Sequence, residues 1–301
     1  MRHELASQGE LMSHFVPDPY NGEMQRLALL APPRLAGVVR YFHVERSSSG
    51  AVMVPSTPCP MLTIFVRGGS LAGGVLYDRP FVCGPLTAPF PALWQPGTTF
   101  ISAIIEPGRF GLLFDPDVDE LANAVLPLDE LRLPTAQLED RLRASSNPQQ
   151  WVVDFSDWLL QLLARREGGP APFVLPTGLL SLPTGDIAAR CGMSIRQLER
   201  RFLASYGQSI RDSRKMERYV RALARLMSQP PRHGLLTRVA MDAGYHDQAH
   251  MIRDFIQYTG LAPRTLLQNA AVNTQGELRL LHYDERSLPI VAGDLSHSYK
   301  F

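Results

Sequence analysis

One pattern occurs twice in the C-terminal third of the chain and limits what that third can be. Asp186 to Phe202 reads DIAARCGMSIRQLERRF, and Arg238 to Phe255 reads RVAMDAGYHDQAHMIRDF. Each copy has a short apolar segment (Ile187, Ala188; Val239, Ala240), a glycine (Gly192; Gly244), and a second segment closing on an aromatic (Phe202; Phe255). Glycine accepts the positive φ of a tight helix-to-helix turn, so both copies read as helix-turn-helix units.

The side chains fix which face of each second helix looks outward. Ser194 with Gln197 three residues later is a capping box, which satisfies two backbone donors at a helix start. From that start Leu198, Phe202 and Leu203 are expected inward, and Arg196, Gln197, Glu199 and Arg200 outward. In the second copy Asp247 is the expected cap. Met251, Ile252 and Phe255 form the inner face, leaving Gln248, Ala249, His250 and Arg253 outside. Between the copies, Ile210 to Ser228 reads as a helix with Met216, Tyr219, Val220, Leu223 and Leu226 on one side. At 1.5 Å per residue it spans roughly 27 Å, a spacer on the scale of successive major-groove segments, about 34 Å apart.

These residues carry a resemblance. Ala188, Gly192, Ser194, Leu198, Arg200 and Phe202, followed by Val239, Gly244, Tyr245, the DQAH run, Arg253, Phe255, Gly260 and Pro263, are similar to the AraC/XylS family of bacterial transcription regulators. The resemblance implies a seven-helix domain whose two recognition helices enter successive major-groove segments of double-stranded DNA, with RNA polymerase as a partner. It places the DNA contacts on Arg196, Gln197, Glu199 and Arg200 and on Gln248, Ala249, His250 and Arg253. Arginine is suited to guanine edges and phosphate, glutamine to adenine, and alanine to a thymine methyl. Glu199 can instead pair with Arg196, and His250 can brace its own helix. Arg214, Lys215, Arg218 and Arg221 on the spacer helix are further phosphate candidates, or a solvated face. The chain departs from the family where a full first helix is expected, because Pro176 and Gly178 interrupt Phe173 to Leu182.

Charge supports the division. The whole chain has a formal net charge of +1, but residues 180 to 270 hold 14 Lys/Arg against 7 Asp/Glu and the remainder 16 against 22. A basic reader joined to an acidic second part is the expected footprint. Three separated cysteines, Cys59, Cys83 and Cys191, give neither a disulfide framework nor a zinc spacing. With no apolar run long enough for a membrane span and no secretory signal, a cytoplasmic, nucleoid-associated protein is expected.

From Leu35 to Phe110 short β-type runs (VVRYFHVER, AVMVP, MLTIFVRGG, TFISAIIEPGRF) alternate with Pro and Gly, which argues for a sandwich or small barrel. This half is similar, more weakly, to the cupin-like sensor domains that precede some AraC-type readers. Phe42, Met53, Leu62, Ile64, Phe65, Phe81, Trp94, Phe100, Ile104 and Phe110 are the candidate interior. Arg40, Arg67 and Arg109, with Trp94, are candidate effector contacts, the arginines for an acidic ligand. His3, His14 and His43 are isolated, so no metal site is expected, nor any cofactor, and no titratable cluster at catalytic spacing marks an enzyme. Asp115 to Glu130 reads as an acidic helix. Gln149 to Arg166 reads as a helix with a broad apolar stripe (Val152, Phe155, Trp158, Leu159, Leu162, Leu163), covered either by its own barrel or by a second protomer in a homodimer.

The expected architecture is α+β in two domains: a β-rich sensor with flanking helices at 1–166, a linker at 167–178, an all-α double helix-turn-helix domain at 179–270, and a tail at 271–301. Two functions remain open. One is a regulator whose sensor takes a small molecule, marked by a deep cavity; the other is a partner-controlled regulator whose N-terminal half is a protein-interaction module, marked by a filled core and an exposed apolar patch.

Overall fold

A computed structural model describes residues 25–46, 50–114, 118–166, 172–175, 178–227, 229 and 232–271. The turn that Pro17, Asp18, Pro19, Tyr20, Asn21 and Gly22 predict, and the hairpin or loose strand that the alternating runs around Gly276 and Gly293 suggest, lie outside these residues, as does most of the expected linker.

The N-terminal part is built on two sheets. Six strands order as β1 (Gln25–Leu30), β2 (Val39–Arg46), β9 (Thr99–Ile105), β4 (Met61–Arg67), β7 (Phe81–Cys83) and β10 (Val125–Pro127). Four more order as β3 (Gly50–Val54), β8 (Phe90–Trp94), β5 (Ser70–Ala72) and β6 (Val75–Tyr77). All their pairings are antiparallel.

Side chains alternate across the larger sheet, as strand geometry requires. On β9, Ile101, Ala103 and Ile105 join a core with Phe42, Leu62, Ile64 and Phe110, while Phe100, Ser102 and Ile104 face the space between the sheets. Because β9 is buried along its whole length, its sequence shows no polar alternation. Two helices cover the outer face, α1 (Ala136–Ala144) and α2 (Pro148–Arg165). Trp151, Val152, Phe155, Trp158, Leu159 and Leu162 of α2 are all buried in that core, so the chain covers its own stripe. Trp151 and Trp158 donate their indole N–H groups to the carbonyls of Ser145 and Pro134 at 3.0 and 2.9 Å, which lets each tryptophan enter the core with its polar atom satisfied.

The acidic helix expected at Asp115 to Glu130 is not an α-helix. Its described part is a 3-10 turn at Val118–Leu121, then Asn123 at φ 56° and strand β10. A left-handed residue ends a helix, and Asn123 is held there by its side chain, which accepts from the Thr87 backbone N–H at 2.7 Å. Pro127 then sits on the edge of the sheet, where proline is tolerated.

The C-terminal part is helical: α3 (Thr184–Arg190), α4 (Ile195–Tyr206), α5 (Ile210–Met227), α6 (Leu235–Ala243), α7 (Gln248–Thr259) and α8 (Pro263–Ala271). Where the resemblance implies an opening helix and the sequence departs from it, there is a 3-10 turn, Leu179–Ser181, preceded by Gly178 at φ 86°. Phe173 and Leu175 nevertheless pack with Ile187, Leu198, Phe202 and Ile210.

The two parts touch at specific places. The Ser56 N–H donates to the Tyr258 carbonyl at 2.8 Å across the two parts, while the Leu175 N–H donates to the Tyr206 hydroxyl at 3.0 Å within the C-terminal part. Gly108 lies against the Tyr206 ring so closely that an added Cβ would stand 2.6 Å from it.

A paired reading surface and a cavity beneath it

The two helix-turn-helix units close by the same bond. Gly192 and Gly244 have φ of 64° and 87°. The residue after each glycine donates its N–H back to an alanine carbonyl, Met193 to Ala188 and Tyr245 to Ala240, both at 2.9 Å. This is the helix-ending geometry that needs a left-handed residue. Both second helices then start on a side-chain cap. The Ser194 hydroxyl accepts from the Gln197 N–H at 3.3 Å while the Gln197 amide oxygen accepts from the Ser194 N–H at 3.0 Å. Asp247 accepts from the His250 N–H at 2.6 Å, a bond that holds its carboxyl below the usual carboxylate value. Ser194→Ala removes one of these caps and is expected to cost about 1 kcal/mol, read as a lower melting temperature with the same unfolded baseline.

Capping leaves the outer faces free in the order expected. Arg196, Gln197, Glu199 and Arg200 on α4 are exposed, as are Ala249 and Arg253 on α7. Arg196, Glu199 and Arg200 make no hydrogen bond or ion pair among the described residues, so the surface pair weighed for Glu199 is not formed. Gln248 and His250 are half-buried. The Gln248 amide oxygen accepts from the Thr237 hydroxyl at 3.0 Å, and the His250 ring meets Tyr245 edge-on at 5.1 Å. One expected inward residue is outside: Leu203 is 41 % exposed, one step round α4 from the buried Phe202. The narrow stripe of Leu198 and Phe202 already fills the contact with α3, and the third position has no partner surface left.

The cations of the spacer helix make contacts within the protein. Arg214 donates to the carbonyls of Leu180, at 2.7 Å, and Leu182; Lys215 lies 3.3 Å from the buried Asp254 of α7; Arg221 donates to Glu217 at 2.9 Å; Arg225 donates to the Asp242 carbonyl at the end of α6. Arg218 stacks over Tyr245 at 5.8 Å. Arg214, Lys215, Arg218 and Arg225 thus tie α5 to the two units, a structural use in addition to the two readings given to these cations. The apolar side of α5 is buried throughout: Met216, Tyr219, Val220, Leu223 and Leu226 all join the second unit's core.

Behind this surface lies a cavity of about 220 Å³ between the two sheets. Its aromatic wall is Phe81, Phe90, Trp94 and Phe100, and α5 closes it with Tyr219, Val220 and Leu223. Tyr219 thus has two contacts at once, since its ring also packs on Phe255 and Tyr258 of α7 at 5.3 and 4.9 Å. Of the expected effector contacts, Arg40 and Trp94 line the cavity. Arg67 is exposed on the end of β4, and Arg109 is half-buried away from the cavity. Arg67 follows a register shift on β4 and Arg109 a glycine turn, and both irregularities defeat simple alternation. Arg40 benefits from such a shift. A bulge between Val39 and Tyr41 on β2 puts Arg40 and Tyr41 on the cavity side together.

Apart from Arg40, the polar wall was not visible in the sequence. Arg26 reaches Glu45 at 3.1 Å, and both are buried. Arg40 lies 3.1 Å from Glu106, and its guanidinium donates to the Cys59 sulfur at 3.3 Å. His43 is 3.3 Å from Glu45, yet burial lowers its pKa against the opposing pull of that carboxylate. Thr63 and Ser102 share a hydrogen bond at 2.7 Å. Burial pushes the Cys83 thiol up to about 12. Among the described residues no group of histidine, cysteine or carboxylate side chains is arranged to hold a metal, and no helix is long and apolar enough to cross a membrane.

Residues 187–269 match a family model described as a helix-turn-helix domain. Both units, with their caps and outward faces, lie within the matched residues, so the match and the geometry agree on a helix-turn-helix domain. None of the curated proteins compared with the chain matches it. Among solved structures it is similar to ToxT from Vibrio cholerae, at 10 % identity and a TM-score of 0.43, over 75 % of this chain and 97 % of that one. A structure of ToxT bound to (E)-4-(8-methylnaphthalen-1-yl)but-3-enoic acid is similar at 8 % identity and 0.43, over 82 % and 98 %. An unsaturated fatty acid bound wild-type ToxT is similar at 10 % identity and 0.39, over 81 % and 94 %.

Proposed function

We propose that this chain is a transcription regulator in which a small molecule held between the two sheets sets the position of the DNA-reading helices. The observation that carries the reading is the shared wall: Tyr219 lines the cavity and packs against Phe255 in the interior of α7. An occupant that moves Tyr219 therefore moves a helix bearing Arg253. Such coupling requires a difference in ligand affinity between two arrangements of the reader, and a cavity wall made by the reader itself supplies that difference. The cavity also favours a small-molecule sensor over a protein-interaction module, for which a filled core was the expectation.

In this reading Arg196 and Arg200 of α4 and Arg253 of α7 contact base edges or phosphate, and Glu199 can accept from cytosine. Ala249 faces a thymine methyl. Gln197 and Gln248 contribute through their amide N–H groups, since their oxygens are engaged. Homodimerisation and contact with RNA polymerase belong to the same proposal. The apolar stripe of α2 is covered by its own domain, so that stripe is not free to form the dimer seam.

Genome-wide footprinting with the purified protein tests the reading. Arg200→Ala and Arg253→Ala should each weaken specific binding by about 1–3 kcal/mol and relax selectivity in one half of the site. Unchanged selectivity in both variants would remove the assigned roles.

A further inference from the structure

Resting on the reading of this cavity as an effector site, we infer that its ligand is an uncharged, largely aromatic molecule and that organic anions are excluded. The charged side chains lining the cavity are Arg26, Arg40 and Glu45. Each arginine already lies 3.1 Å from a carboxylate, Arg26 from Glu45 and Arg40 from Glu106. The Arg26–Glu45 pair is at most 5 % exposed at either side chain, and the Arg40 side chain is 2 % exposed.

A carboxylate entering here would have to displace the buried Glu45 from Arg26, share Arg40 with Glu106, or remain without a cation. The first and last leave a charge in a low-dielectric site and the second sets two carboxylates against one guanidinium, penalties that an uncharged ligand does not meet. The reader's contribution to the wall adds no cation either, because Tyr219, Val220 and Leu223 are uncharged and Lys215 is held on Asp254. What the cavity offers is the aromatic surface of Phe81, Phe90, Trp94 and Phe100. Phe100 and Trp94 lie with ring centroids 4.9 Å apart, a rigid edge against which a flat ring can stack. The volume of about 220 Å³ exceeds the roughly 150 Å³ of an apolar cavity that takes benzene, which leaves room for one ring and a short substituent.

The test uses two probes of nearly equal shape, 4-phenylbutan-2-one and 3-phenylpropanoate, which differ by a methyl group against a charged oxygen. Titrated calorimetrically into the full chain at neutral pH, the ketone is expected to bind at least tenfold more tightly. Glu106→Gln, at a carboxylate 29 % exposed, releases Arg40 from its partner and should narrow that gap from the anion's side. A carboxylate that binds as well as the ketone, absence of ketone binding up to millimolar concentration, or an unchanged gap in Glu106→Gln would each overturn the inference. DNA affinity measured with and without the bound probe separates the two proposals. A ketone that binds and leaves DNA affinity unchanged sinks the coupling but keeps the ligand class, whereas an anion that binds and alters DNA affinity does the reverse.

Discussion

Phe155→Ala is expected to destabilise the N-terminal domain by about 3–5 kcal/mol, the range for truncating a fully buried phenylalanine. Phe155 is 0 % exposed, its ring 5.6 Å from Phe42 on the sheet and 6.1 Å from Trp158 on its own helix. Removing it opens a void between helix and sheet that neither can close, since Trp151 and Trp158 are fixed by indole hydrogen bonds on either side. The same substitution decides how α2 is covered. Within a single protomer the loss is independent of protein concentration; a loss that grew on dilution would show a second chain sharing the stripe. Chemical denaturation at two concentrations, followed by tryptophan fluorescence, reads both quantities.

The second large effect is in binding. The double variant Arg200→Ala, Arg253→Ala should lose about 2–6 kcal/mol of specific affinity, the sum of two single losses of about 1–3 kcal/mol. The two arginines sit on separate helices and share no partner, so additivity is the expected result if both helices engage one duplex at once. A double variant no weaker than the worse single variant would mean that only one unit reads DNA. Competition binding against nonspecific DNA at fixed ionic strength makes the comparison, because phosphate contacts alone would shift both affinities together.

How far the sequence anticipates this molecule depends on whether a feature is local. The glycine turns, the Ser194–Gln197 box and the Asp247 cap are short-range chemistry, and each has the geometry its spacing implies. The buried stripe of α5 is legible for the same reason. Which surface it meets is not, because periodicity marks Tyr219, Val220 and Leu223 as buried without saying that a sheet from the other domain provides part of the cover. The cavity charges fail similarly: Arg26 and Glu45 are 19 residues apart and meet only through the pairing of β1 with β2. Arg40 is recognisable as a candidate, but its placement depends on a bulge that a plain alternating pattern would not include. At Asp115 to Glu130 composition misleads, since acidic residues and leucine favour a helix while Asn123 and its bond to Thr87 impose a turn.

The shared wall also decides how the protein can be taken apart. A fragment ending before α5 would present the cavity with one side missing, its aromatic lining open to water and its Ser56 amide without the Tyr258 carbonyl. If the proposed effector site is right, screening such a fragment would report weak or absent binding for molecules that bind the full chain. For the same reason, grafting this N-terminal half onto a foreign reader would transfer recognition only if the three residues at Tyr219, Val220 and Leu223 travelled with it.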